Sequence, residues 1–254
     1  MFSPDGCLHF STLKEIGRSA AHYANAVKNG RPDSPSMLIG RAFHALTLQG
    51  IEPLVFDGIR KGDKWKEFEE ANKGADILNI KERDSVLRMR DSVFANPAAL
   101  DVLGRCPMRE TTIRWARHGY PCAGKVDAVG PSALAELKST RDASRRKFLW
   151  DAHRMGYHGQ LAWYDVGMGT APMEYDTAWR DQFIIATENA APFVTVVYQL
   201  DNLRIDQGNQ LVEDWLTRFG ACMESGEWLG YTQGVHIWDA AVEYQGNQED
   251  EEEE

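Results

Sequence analysis

The sequence is poor in the features that mark small metal-binding modules. It has only four cysteines, Cys7, Cys106, Cys122 and Cys222, and they are far apart with no C-x-x-C pair. This spacing argues against a zinc knuckle or a clustered iron–sulfur site. We therefore expect reduced, mostly buried thiols in a cytoplasmic protein.

Long apolar runs are also absent. No stretch approaches the ~20 apolar residues that a membrane-spanning helix needs. The N-terminal MFSPDGCLHF has neither a basic region nor an apolar region of the kind found in secretion signals. We expect no membrane association and no secretion.

An excess of positive charge is the third missing feature, since the 254 residues carry a formal net charge of -10. The final EDEEEE, at 249–254, is predicted to be a disordered, solvated tail. Without it, 32 acidic residues face 28 basic ones, a net charge of -4. This charge balance does not indicate a nucleic-acid binder. It does not exclude a metal-dependent nuclease, whose acidic residues lie at the active site and whose basic residues follow a groove.

Hydrophobic periodicity predicts helices first, then strands, then a mixture of both. The predicted helices cover 8–30, 37–49, 82–95, 97–103, 142–168 (as one helix or two) and 203–226, and the predicted strands cover 110–116, 121–129, 132–139, 181–188 and 193–200. The polar stretch at 57–68 is predicted to be a loop. We expect an α/β fold, with a central mixed β-sheet of about five strands flanked by helices and an N-terminal helical portion.

No internal repeat and no inter-domain linker interrupts the chain. We therefore expect a single domain over residues 1–248. Its helical part would cover about 8–105 and its catalytic core about 106–231.

The strand LAELKST, 134–140, ends with two opposite charges. Because strand residues two apart point to the same face, Glu136 and Lys138 project together while Leu137 points into the core. Asp127 ends the preceding strand, and an antiparallel turn could bring it close to Glu136. Two carboxylates suit Mg²⁺ or Mn²⁺, and the lysine could orient a water molecule. The alternative is an exposed ion pair at a strand end, with Asp127 in a turn.

Two helices carry further polar candidates. Gln160 and Tyr164 lie at i and i+4 on one face of YHGQLAWY and could hydrogen-bond a phosphate or a base edge. Alternatively, Tyr164 is a core aromatic residue and Gln160 lies on the surface. His44 stands in an apolar helix beside Arg41, and a histidine in that setting is often a core residue.

Together these motifs resemble those of the PD-(D/E)XK nuclease superfamily, and within it the RecB-type and RecE-type exonuclease branch. The resemblance rests on ordered segments between residues 8 and 231. They are SAAHY at 19–23, GRAFHALTL at 40–48, GKVDAV at 124–129, AELKST at 135–140, YHGQLAWY at 157–164 and EWLGY at 227–231. Their order is that seen in phage-encoded RecE-like exonucleases.

The resemblance implies a restriction-endonuclease-like core and a Mg²⁺-dependent exonuclease that degrades double-stranded DNA from 5′ to 3′, with Mn²⁺ as a possible substitute. Asp127, Glu136 and the Leu137 carbonyl would bind the metal, with His44 at the same site. Lys138 would position the attacking water. Gln160 and Tyr164 would help to hold DNA.

The same resemblance implies a homo-oligomeric ring around double-stranded DNA ends, and a single-strand annealing protein as partner in phage recombination. The setting would be the cytoplasm of a bacterial host, with the gene carried by a phage or prophage. Some members of the branch hold an iron–sulfur cluster, but the cysteine spacing here predicts none. Glu110 is predicted to be an exposed carboxylate at a strand start, with a role at a second metal as the alternative.

Several basic residues could follow the DNA backbone: Arg41, Arg141, Arg145, Arg146 and Lys147. A solvated helix face is the competing interpretation of the cluster at 141–147. Two other functions stay open on the same fold. One is a DNA-binding module with a weak or degenerate site, and the other is a structure-specific or restriction-type endonuclease.

Overall fold

The computed structural model describes residues 1–30, 33–170, 180–231 and 234–235, so the predicted acidic tail lies outside the described residues. The helices are α1 (Phe10–Leu13), a 3₁₀ helix (Lys14–Gly17), α2 (Ala20–Asn29), α3 (Pro35–Gln49), α4 (Asp63–Ala71), α5 (Ile80–Ala95), α6 (Pro97–Arg105), α7 (Arg145–Arg154), α8 (Tyr157–Thr170) and α9 (Asn202–Ser225). The strands are β1 (Leu8–His9), β2 (Leu54–Val55), β3 (Ile77–Leu78), β4 (Met108–Arg117), β5 (Tyr120–Val129), β6 (Ala133–Thr140), β7 (Asp181–Glu188) and β8 (Thr195–Gln199).

The predicted α/β architecture is confirmed, because all five predicted strands form one mixed sheet as β4 to β8. Strand β6 pairs in parallel with β7, and the β4–β5, β5–β6 and β7–β8 pairs are antiparallel. The two-residue β1 adds a sixth strand, parallel to β5. No helix within the described ranges combines the length and the apolar run needed to cross a membrane.

Strand β5 changes partners along one of its edges. Strand β4 covers the other edge over nearly the whole length of β5. Along its second edge, β5 pairs with β6 only at Ala128–Ala135 and Val129–Leu134, near its C-terminal end. Near its N-terminal end, the same edge pairs with β1. Residues 124–127 lie between these two partners, and no described strand pairs with that edge there. The two strands therefore separate, and we call this opening the β5–β6 fork.

Two hydrophobic clusters cover the two faces of the sheet. Because alternate strand residues point to opposite faces, Leu134 and Ile184 join one cluster while Ala135 and Ile185 join the other. The first cluster contains core residues of α8 and α9, and the second contains those of α3, α5 and α6. Helices α3 and α8 therefore approach the sheet from opposite faces, and both contact β4, β5 and β6.

The prediction of one continuous helix over 8–30 is wrong. Leu8 is fully buried, and as part of β1 it pairs with Cys122 of β5, so the segment starts as a strand. The main helix of this region, α2, begins later, because the extended Ser19 accepts a hydrogen bond from the His22 amide and caps it. The predicted end at Gly30 is confirmed.

The prediction of a loop at 57–68 is also wrong in its second half, which forms the start of α4. The helix has no fully buried residue, but Trp65 and Phe68 contact the ring of Phe56 at centroid distances of 5.2 and 5.1 Å. Three aromatic rings therefore hold a helix whose other residues, apart from Ala71, are polar or charged. Its low content of apolar residues explains why the sequence pattern did not indicate it.

Candidate metal and active site

The β5–β6 fork brings two carboxylates together in a buried position. Asp127 is 6% exposed and Glu136 is 2% exposed. The Leu137 amide donates a hydrogen bond of 2.8 Å to Oδ2 of Asp127, and the Asp127 amide donates a longer one, 3.5 Å, to Oε1 of Glu136. These side chains replace the backbone ladder where β5 and β6 separate. The alternative of an exposed ion pair with Asp127 in a turn is therefore wrong.

Lys138 points to the same side as Glu136, as the alternation of the strand predicts. Its Nζ donates to Oε2 of Glu136 at 2.8 Å and to Oε1 of Gln160 at 3.0 Å. The same ammonium lies 4.9 Å from the ring centroid of Tyr157. An acid, an amide and an aromatic face thus fix the lysine in one position.

Helix α8 supplies this support from one face of the sheet. Besides accepting from Lys138, Gln160 donates from Nε2 to Glu136 at 2.8 Å and to the Tyr164 hydroxyl at 3.1 Å. Tyr164 is buried in the core, as one alternative held, whereas Gln160 is partly buried and not fully exposed. A Cβ atom at Gly124 would overlap the ring of Tyr164, so the glycine lets α8 pack close to β5.

In this arrangement the amide of Gln160 is satisfied within the protein. Its side chain orients Glu136 and Lys138 and makes no contact that points out toward the solvent. The role of Gln160 and Tyr164 in holding DNA stays a prediction, and the observed hydrogen bonds join Gln160 to Glu136, Lys138 and Tyr164.

Helix α3 contributes His44 from the opposite face of the sheet. Nδ1 of His44 lies 3.4 Å from Oδ1 of Asp127. Arg41 lies on the same helix, but its guanidinium is engaged by Asp33 at 2.7 Å and Asp76 at 2.6 Å. His44 therefore joins the candidate site as predicted, whereas Arg41 is already neutralised by two carboxylates.

The placement of Glu110 differs from the prediction. Its side chain is 7% exposed, so the expected exposed carboxylate is wrong. Its neighbours Arg109 and Thr111 pair with Ala128 and Val126, so Glu110 lies across from Asp127, and its backbone has a positive φ of 50°. Lys125 forms an ion pair with it. Counting outward from the turn at His118 and Gly119 would have indicated this pairing.

Within the described residues, His44, Glu110 and Asp127 form the one group of at least three histidine, cysteine or acidic side chains arranged to hold a metal. They each offer one ligand atom, and these atoms lie within 4.8 Å of one another. Two carboxylates suit a hard divalent cation such as Mg²⁺ or Mn²⁺. The residues therefore fit a divalent metal. Glu136 and the Leu137 carbonyl stay predicted ligands, because the Glu136 carboxylate is directed at Lys138 and Gln160.

The buried charges give the groups at the site different protonation states. Burial alone would raise the pKa of Asp127, but the combined effects of His44, the charge of Lys138 and the hydrogen bond from the Leu137 amide lower it. Burial, followed by the charge of Asp127, raises the pKa of Glu136 to about 7. Burial would lower the pKa of Lys138, but the charges of Glu136 and Asp127 raise it. Asp127 is thus an anion and Lys138 a cation, whereas Glu136 binds a proton more readily than an ordinary glutamate.

An open cleft of about 1150 Å³ leads to these groups. Its lining includes His44, Asp127 and Lys138 together with the basic residues Arg141 and Lys147. Arg145 and Arg146 are not among the described residues that line it, so their contact with DNA stays a prediction.

The four thiols do not gather at this site. Cys7, Cys106 and Cys122 are buried, Cys222 is partly exposed, and none forms a disulfide. Burial raises the pKa of both the Cys106 and the Cys122 thiol to about 11. The predicted lack of an iron–sulfur cluster stays a prediction.

A mixed sheet that carries an aspartate on one strand and a Glu-x-Lys pair on the next defines a PD-(D/E)XK-like domain. The chain belongs to the PDDEXK-like domain family of unknown function DUF3799, whose sequence profile matches residues 9–239. The resemblance to the PD-(D/E)XK superfamily is thereby confirmed. Comparison with curated proteins finds no match.

Three solved structures are similar to the chain at low sequence identity, and the first of them shares its fold. A protein of Eubacterium rectale, provisionally classed as an exonuclease, is 11% identical with a TM-score of 0.61, and 94% of each chain is covered. A phage-related exonuclease from Haemophilus somnus 129PT is 14% identical with a TM-score of 0.36, covering 87% of this chain and 96% of its own. LHK-Exo in complex with dAMP is 13% identical with a TM-score of 0.31, covering 73% and 95%.

Proposed function

We propose that this protein is a metal-dependent exonuclease that hydrolyses phosphodiester bonds from the ends of double-stranded DNA. The observation that carries the proposal is the convergence of His44, Glu110, Asp127, Glu136 and Lys138 around one buried fork at the base of an open cleft. The family is PDDEXK-like and has no assigned function. We propose Mg²⁺ as the metal, with Mn²⁺ able to replace it.

The electrostatics of the site suit phosphodiester hydrolysis. A divalent cation held by His44, Glu110 and Asp127 would supply Lewis-acid polarisation of a phosphate oxygen. Asp127 stays ionised because its pKa is lowered, so it is available as an anionic ligand. Lys138 stays protonated because its pKa is raised, so it acts as a hydrogen-bond donor and not as a general base. It can orient an attacking water and stabilise negative charge that develops on the phosphate.

Glu136 has a second capability. Its pKa of about 7 allows the carboxyl group to bind or release a proton at neutral pH. Gln160 and Lys138 hold Oε2 of this carboxyl group by hydrogen bonds, which fixes its orientation. A proton from the attacking water could therefore be held at Glu136 in a defined geometry.

The finer parts of the proposal come from the motif resemblance. They are 5′ to 3′ polarity, a homo-oligomeric ring threaded by DNA, and a single-strand annealing protein as partner in phage-type recombination. A catalytically weak DNA-binding module and a structure-specific endonuclease are the competing functions on this fold.

Digestion of linear duplex labelled at either the 5′ or the 3′ end, with and without Mg²⁺, tests the proposal. We expect Mg²⁺-dependent release from ends, resistance of closed circular DNA, and a loss of at least about 100-fold in rate for Asp127→Ala and Lys138→Met. Lys28→Met is the matched control, because Lys28 is an exposed lysine at the end of α2. Equal digestion by the parent and both site variants would overturn the proposal. Duplex binding without cleavage would favour the binding module, and cleavage of circles would favour an endonuclease.

A further inference from the structure

Helix α7 carries a tryptophan, Trp150, that lines the cleft and does not pack into the hydrophobic core. The helix is anchored by Phe148 and Ala152, which are 1% and 7% exposed. Trp150 lies on its other side, is 57% exposed, and lines the same cleft as Asp127 and Lys138. Leaving an indole in water forgoes the burial energy that a core tryptophan provides, so its exposure next to the candidate site points to a binding role.

The connection between β6 and α7 is held by hydrogen bonds on both sides. The Ala143 amide donates to Oε1 of Glu188 at 3.1 Å, and the Tyr198 hydroxyl donates to the Ala143 carbonyl at 2.6 Å. The Ser144 amide donates to Oδ1 of Asp142 at 2.8 Å just before the helix begins. Helix α7 is therefore fixed relative to the strand that carries Glu136 and Lys138, and the indole has a defined position beside the site.

Two cations accompany the indole. Nζ of Lys147 lies 4.6 Å and Cζ of Arg154 lies 5.1 Å from its ring centroid. Asp151 pairs with both of them, at 3.2 Å each, so the trio carries one net positive charge. Because both cations lie over the ring, a base that stacks on the indole would replace a cation–π contact, and the displaced cation would be available to attract a phosphate.

We propose that Trp150 is a stacking platform for unpaired bases of the DNA end bound in the cleft. The inference rests on the proposed function, and it adds single-stranded ends to the substrate class. A base offers its full π-face only when it is unpaired, so stacking favours a single-stranded segment over the interior of a duplex. Lys147 and Arg154 contact the phosphates of the same segment.

Binding of short single-stranded oligonucleotides in EDTA tests this inference separately from cleavage. Fluorescence anisotropy would compare an oligonucleotide that carries all its bases with the same backbone made abasic. We expect Trp150→Ala to weaken binding of the complete oligonucleotide about tenfold, or ~1.4 kcal/mol, and to leave abasic binding unchanged. Trp150→Phe should recover part of the loss. Phe94→Ala is the matched control, because Phe94 is an exposed aromatic residue outside the cleft lining.

The outcomes separate the two proposals. A base-dependent loss in Trp150→Ala supports the platform, even if the parent shows no nuclease activity. Equal losses for complete and abasic oligonucleotides, or no loss at all, overturn the platform even if the parent digests duplex DNA. Binding of an acidic peptide with the same dependence on Trp150, and none of oligonucleotides, would also overturn it and assign the surface to a protein partner.

Discussion

The buried pair of Glu136 and Lys138 allows activity and stability to be separated by mutation. Lys138→Met removes the ammonium but keeps a long apolar stem. The variant leaves Glu136, which is 2% exposed, beside the anionic Asp127 without its ion-pair partner. Gln160 also loses the donor that its Oε1 accepts from at 3.0 Å. We therefore expect the variant to lose both nuclease activity and stability.

The size of the stability loss follows from the charge that is left behind. Removing one partner of a buried ion pair costs ~3–5 kcal/mol. Glu136 can reduce this cost by taking up a proton, because its pKa is already about 7 and loss of Lys138 raises it further. A carboxyl pKa raised above its unfolded value lowers the free energy of unfolding as the pH rises. The deficit of the variant should be ~3 kcal/mol at about pH 8 and smaller at about pH 6.

The double variant Glu136→Gln with Lys138→Met completes the test. It leaves no unpaired charge at these positions, so its free energy of unfolding should return most of the way to that of the parent. Its nuclease activity should not return, because the amine that orients the water is still missing. Urea unfolding at the two pH values and digestion of linear duplex measure the two properties. The reasoning is refuted if the single variant is as stable as the parent, or if the double variant is no more stable than the single one.

Three further predictions concern other parts of the chain. Burial lowers the pKa of His158 from its ordinary 6.5 to about 4. The free energy of unfolding should therefore fall by ~3 kcal/mol as the pH drops through this window, and His158→Gln should lose that slope in urea titrations. Gly124→Ala should cost ~1–3 kcal/mol and reduce activity, because the new Cβ overlaps Tyr164, and a lower thermal midpoint would show the stability loss. Glu110→Gln should weaken Mg²⁺ or Mn²⁺ binding by at least about tenfold in calorimetric titration, and unchanged binding would exclude it as a ligand.

Periodicity was sufficient to predict the sheet and most of the site. The alternation of β6 places Glu136 and Lys138 on one side, and the short turn before it brings Asp127 close, so these three residues could be predicted from local rules. The i, i+4 spacing of Gln160 and Tyr164 also predicted their shared face. Their internal hydrogen bonds could not be predicted, because these depend on how closely α8 approaches β5 over Gly124.

Other features depend on contacts between distant parts of the chain. Glu110 belongs to the site because the β4–β5 hairpin sets it opposite Asp127, and because its backbone adopts a positive φ that side chains rarely favour. The strand at Leu8 forms only because β5 offers it a free edge. The sequence around Trp150 does not distinguish it from a core tryptophan of a helix. Its exposure in the cleft becomes visible only in the folded structure.

The β5–β6 fork has a consequence for the order in which function is acquired. His44 reaches it with the helices of one hydrophobic cluster, and Gln160 reaches it with those of the other. Neither hydrophobic cluster by itself positions all the residues of the candidate site. The proposed activity therefore requires both clusters to be folded. Catalysis should therefore disappear with the first cooperative loss of either core, which would make enzymatic turnover a reporter of global integrity.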